Sequence, residues 1–88
     1  MPYQIHRRQR DGVEILAPQG RLALGAPLEA LRAVLDELHA AGKTSIVMDL
    51  NEVDYIDSGA LGCLIMAHTR AEKAGGAMPI FGLQRRTL

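Results

Sequence analysis

The chain has 88 residues, 48% of them apolar, and ten basic side chains balance ten acidic ones, which describes one small domain with no global field to draw in nucleic acid or an anionic membrane. No apolar run approaches the roughly 20 residues of a membrane span, and no apolar segment follows the charges near the start, so neither membrane insertion nor secretion is expected. The lone cysteine, Cys63, rules out an internal disulfide and suits a reducing cytoplasm, while Tyr3, Tyr55 and Phe81 are too few aromatics for a nucleic-acid stacking platform.

In chain order, residues 3–10 and 13–19 flank Asp11-Gly12, a pair that tolerates positive φ, and predict a β-hairpin. The first strand has one wet face. The second carries Val13, Ile15 and Ala17 on one side and Leu16 on the other, which predicts a central position, and Gly20 ends it. Residues 26–40 predict a helix, with Pro27 in the first turn, an apolar stripe of Leu28, Leu31, Leu35 and Leu38 widened by Val34, and Gly42 as the stop. Glu29, Arg32, Asp36 and Glu37 face water.

Residues 45–50 are a short apolar run expected to be a strand buried on both faces, followed by a polar loop over 51–57. A second helix over 58–74 has Leu61, Leu64, Ile65 and His68 as its inner stripe and ends at Gly75-Gly76. Residues 78–83 form a last strand, which Pro79 places at an edge. The order β-β-α-β-α-β gives an α/β fold, a mixed four-stranded sheet with helices packed on it. Leu31 and Ile65 are expected to be core positions.

Charge is uneven along the chain. Residues 22–57 hold Arg32 and Lys43 against seven acids, whereas the segments on either side are net basic. The acidic cluster Glu52, Asp54 and Asp57 leads into Ser58, where a helix begins. Asp57 or Ser58 is an N-cap on position alone, stabilising by about 1 kcal/mol. Two features go beyond a cap. The start of the helix is apolar nearly all round, leaving Cys63, Met66 and Ala67 as a surplus side that is either covered by a loop or exposed as a contact patch. A phosphate on Ser58 would also be tolerated by the helix N-terminus, yet repelled by Asp54, Asp57 and any acidic or apolar partner.

Enzymatic readings find no support in the motifs. A nucleophile elbow needs glycine two places either side of the serine, and Ile56 and Ala60 stand there; neither His39 nor His68 is then a base for Ser58. His68 falls on the apolar stripe and reads as packing. His6, His39, His68 and Cys63 lack paired metal-ligand spacing, and no phosphate-loop or dinucleotide glycine pattern occurs, so no metal or cofactor is expected.

The run Val53-x-Tyr55-Ile56-Asp57-Ser58, followed by Leu61-Gly62, resembles the signature of STAS domains, in particular bacterial anti-sigma factor antagonists. Gly20-Arg21-Leu22, Ile46 to Leu50, Gly75-Gly76 and Phe81-Gly82-Leu83 fall at that family's strand and turn landmarks, so the resemblance spans nearly the whole chain. It implies that Ser58 is phosphorylated by a partner anti-sigma factor that is itself a serine kinase. Phosphorylation then ends binding through a surface of Asp54, Asp57, Ser58, Gly59, Gly62, Cys63 and Met66.

The sequence departs from the family pattern at two places: Gly59-Ala60 stands where a hydroxyl-glycine pair is common, and Ala23 where many antagonists carry an acid. Both departures favour the alternative, a non-switching STAS adaptor in a lipid-transport ATPase or a stress-signalling assembly. The resemblance further implies a helix after the last strand, of which Gln84 to Leu88 is only the approach. Residues 1–88 thus read as one STAS-like domain about a helix short, with homodimerisation or helix exchange as ways to cover the gap.

Overall fold

The computed structural model describes residues 3–83. Its elements are β1 (Tyr3–Arg10), β2 (Val13–Leu22), α1 (Ala26–Ala40), β3 (Ile46–Asp49), β4 (Val53–Ile56), α2 (Ser58–Lys73) and β5 (Ile80–Phe81). The β1–β2 hairpin turns at Asp11 and Gly12 with φ of 53° and 80°, the left-handed pair that a two-residue hairpin loop requires. The notional stub Gln84 to Leu88 lies outside the described residues.

The sheet is mixed. β1 runs antiparallel to β2, β3 and β4 run parallel to β2, and β5 runs parallel to β3 as the edge strand. The polar loop expected over 51–57 instead contains β4, so the sheet has five strands among the described residues rather than four. Val53 and Ile56 are buried while Asp54 and Tyr55 are exposed, a pattern too short and too polar to announce a strand. Gly20 pairs with Tyr3 on one edge and Val53 on the other, which puts β4 on the same edge of β2 as β3. β3 and β4 therefore lie end to end, and the sheet is still four strands wide. This pairing also carries β2 through a bulge past Gly20 to Leu22.

Both parallel crossovers, β2–α1–β3 and β4–α2–β5, move the same way across the sheet. Right-handed connections then place both helices on one face. Leu16, Leu22, Ile46, Met48 and Leu50 from the sheet meet Leu28, Leu31, Leu35 and Leu38 of α1 and Ala60, Leu64, Ala67 and Ala71 of α2 in a single core. The α1 stripe matches the sequence expectation. The α2 stripe is rotated from it by about one residue, or roughly 100°. Ile65 is 55% exposed rather than core, and Ala67, assigned to the surplus side, is buried. Alanines at 60, 67 and 71 let α2 lie close to the sheet, whereas the sequence reading had given the inner face to the larger side chains. β3 is buried on one side only: Ile46 and Met48 are buried, Val47 and Asp49 half-buried.

Two ion pairs tie the outer surface together, Arg7 of β1 with Glu37 of α1 at 3.0 Å and Arg70 of α2 with Asp36 of α1 at 3.2 Å. His68 is half-buried, its Nδ1 2.8 Å from the Met78 carbonyl oxygen, which joins α2 to the approach to β5. No described helix is long and apolar enough to cross a membrane. The burial pattern gives a direct check by urea denaturation: Leu31→Ala should cost about 2–5 kcal/mol as a core truncation, whereas Ile65→Ala should stay within about 0.5 kcal/mol of the parent.

Candidate functional site

Asp57 is the hinge of the candidate site. Its backbone is extended (φ −95°, ψ 173°), and its side chain caps α2 by accepting from the Ala60 N–H at 2.8 Å through Oδ1. The other oxygen, Oδ2, accepts from the Leu24 N–H at 2.9 Å, thirty-three residues away in the β2–α1 loop. One carboxylate therefore fixes the helix start and the neighbouring loop together. The two amide hydrogen bonds, Leu24 first, hold the carboxyl below the ordinary aspartate range; partial burial opposes them and the positive charge of Arg21 assists. Arg21 is itself held in place, its guanidinium 4.1 Å from the centroid of the Tyr55 ring.

Because Asp57 provides the cap, Ser58 does not. It is the first residue of α2, exposed, with no side-chain hydrogen bond among the described residues. Gly59 follows, also exposed, and the Leu24 side chain rests against it: a Cβ at this position would stand 3.1 Å from Leu24 Cδ2 and 3.5 Å from Asp57 Oδ1. Leu24 is 71% exposed, so it projects beside Ser58 instead of entering the core.

An open groove of about 890 Å³ runs from Ser58 along the seam between α1 and α2. Gly59, Gly62, Cys63 and Ala67 form its small-residue side, and Met66, 74% exposed, and Ile65 rise at its border. Arg32, Leu35, Asp36 and His39 of α1 make the other wall. Burial pushes the Cys63 thiol up, and the nearby Arg32 only partly opposes it. The structure thus brings together Ser58, Gly59, Gly62, Cys63 and Met66 along the groove, with Asp57 beneath its head. Asp54 is exposed on β4, does not line the groove and has no ion-pair partner among the described residues.

Sequence reasoning missed Leu24, the Arg21–Tyr55 stack and the α1 wall. Arg32, Asp36 and His39 at i, i+4 and i+7 do share one helix face, a signal open to reading; nothing local to Leu24 indicates that it packs on a glycine thirty-five places on. The Asp57 clamp predicts an acid dependence of stability. A carboxyl held low in the fold stabilises above its unfolded value, and that contribution is lost as pH falls through the lowered value. Asp57→Asn should therefore reduce stability at neutral pH and flatten the acid limb of a thermal-melting profile relative to the parent.

Comparison with known proteins places this geometry. The family model for the STAS domain matches residues 4–88. Among solved structures, a protein described as a candidate anti-sigma factor antagonist from Thermotoga maritima superposes with a TM-score of 0.84 at 24% identity, over 94% of this chain and 71% of its own. An anti-sigma factor antagonist from Mycobacterium paratuberculosis gives a TM-score of 0.73 at 20% identity, covering 89% of this chain and 65% of that one. The protein Mglu gives 0.78 at 22% identity over 91% of this chain, which spans only 20% of Mglu. No curated protein sequence matches. These likenesses establish the shared fold, and the family match over nearly the whole length identifies the chain as a member of the STAS domain family.

Proposed function

We propose that this domain is an anti-sigma factor antagonist that acts in the cytoplasm by binding a serine-kinase anti-sigma factor, and that phosphorylation of Ser58 ends the binding. The observation that carries this reading is the division of labour at the start of α2: Asp57 takes the capping role, so the Ser58 hydroxyl is left exposed and uncommitted at the mouth of an apolar groove. In the modification step the Ser58 Oγ attacks the γ-phosphorus of ATP, ADP departs, and the hydroxyl proton passes to a base on the kinase. The product gains a charge of about −1.5 to −2.

At the first turn of a helix that charge meets the positive end of the dipole, so the fold accepts it. A partner seated on Gly59, Gly62, Cys63 and Met66 does not, because an ionised group would have to be desolvated at the edge of an apolar contact beside Asp57. The modification works on the surface and leaves the packing intact.

The second reading, a constitutive adaptor, has its own observation. Ala23 is buried where many family members carry an acid, and Leu24 covers the Gly59 position, which makes the approach to Ser58 more apolar than the family pattern. Mass spectrometry after incubation with ATP and a candidate kinase partner separates the two: a single phosphate on Ser58 is expected for the switch, and an unmodified chain supports the adaptor. In pull-downs, Ser58→Ala should retain the partner and Ser58→Asp should weaken it; the reverse order would overturn the switch.

A further inference from the structure

The sheet has a second face that the proposed function does not use. Strand register defines it. With both helices packed over Leu16, Ile46 and Met48, the alternate residues Val13, Ile15 and Ala17 of β2 and Val47 of β3 lie on the opposite side, half-buried and outside the core. Phe81, paired with Asp49 across β3 and β5, joins them at 46% exposure. Among the described residues no element lies over this face. An aliphatic strip across the central strands of a sheet, ending in an exposed phenylalanine, is the kind of surface that takes a partner.

Its charge says which partner. In the antiparallel pairing Arg8 stands opposite Ile15 and Arg10 opposite Val13, so both arginines flank the strip on β1, with His6 opposite Ala17. Arg7, on the helix side of the same strand, is paired with Glu37, whereas Arg8 and Arg10 have no ion-pair partner among the described residues. Across the strip, Asp49 Oδ1 accepts from the Asn51 N–H at 2.9 Å, so the side away from the arginines ends in a carboxylate. The face is thus an apolar band with a free cationic border along one side. β1 is also the open edge of the sheet, but self-pairing there would set arginine rows side by side, which disfavours a second copy.

We propose that this uncovered face binds an amphipathic helix of a partner protein, its apolar stripe seated on Ile15 and Val47 and its acidic flank on Arg8 and Arg10. The surface is separate from the groove at Ser58, and the proposal does not depend on phosphorylation or on the identity of the partner that docks there.

The test uses the 88-residue chain and two synthetic helical peptides of about five turns. Both carry leucines at i, i+3 and i+7; one has glutamates along a flank, the other lysines. The glutamate peptide should shift the backbone amide resonances of Val13, Ile15, Ala17, Val47 and Phe81, and bind more weakly as salt rises. The Arg8→Glu/Arg10→Glu double variant, altered only at exposed positions and checked for folding by circular dichroism, should lose at least about tenfold in affinity for the glutamate peptide and gain for the lysine one. Shifts centred on Gly62 and Met66, indifference to the charge swap, or no shift with either peptide would overturn the proposal. So would a concentration-dependent dimer in sedimentation that Val47→Lys abolishes, because the face would then be an interface between copies.

Discussion

Two hydrogen bonds to one carboxylate organise this domain. The Asp57 side chain receives the Ala60 N–H of its own helix and the Leu24 N–H of a distant loop, so the N-terminus of α2 and the entrance to α1 are set relative to each other by a single group. An amide with no partner at a helix start is costly where water is excluded, and the cap removes that penalty for α2. Its other half shapes the surface. With the Leu24 backbone anchored, the Leu24 side chain is laid across Gly59, so close that a Cβ there would stand 3.1 Å from Leu24 Cδ2 and push the leucine aside by a few tenths of an ångström. Exposed Ser58, projecting Leu24 and the head of the groove are therefore consequences of where one aspartate sits.

The second constraint is topological. Parallel crossovers that progress in one direction must cover one face of the sheet, and both described helices obey it. All the leucines of α1 and the small face of α2 serve that single core. The sheet takes the small face of α2, so the larger apolar side chains Ile65 and Met66 are left outside the core. The exposed apolar surface near Ser58 is thus tied to how the core is packed.

Much of this was legible in the sequence, for identifiable reasons. The hairpin announced itself because Asp11-Gly12 has few other uses between two alternating runs, and α1 because its leucines keep one register for three turns between Pro27 and Gly42. β4 was invisible because its four residues hold only two buried side chains; what makes it a strand is the edge of β2, a non-local fact. The α2 stripe was misplaced for a related reason. When a helix is apolar nearly all round, periodicity cannot choose a face, and the choice falls to the sheet, which selected the alanines. At the site, Ser58 and Asp57 were legible by resemblance and by capping chemistry, but their division of roles was not, since either residue satisfies the N-cap preference. Leu24 was illegible outright, because its position depends on a contact across the fold.

The electrostatics of a charge placed at Ser58 also bound how far such a charge acts. Two unit charges separated by about 10 Å in water interact by roughly 0.4 kcal/mol, and physiological salt, with a screening length of about 8 Å, cuts that by a further factor of about three. A partner seated in the groove against Ser58 lies well inside that range and loses water on contact, so the full cost of an added phosphate falls on it. Arg8 and Arg10 pair with Ile15 and Val13 of β2, at least five residues, or about 16 Å, along that strand from Gly20, where β4 joins on the way to Ser58. The arginine border there is effectively beyond the reach of the modification. The two proposals are therefore compatible: helices on a single face put the groove at Ser58 and the strip of Ile15 and Val47 on opposite sides of the sheet.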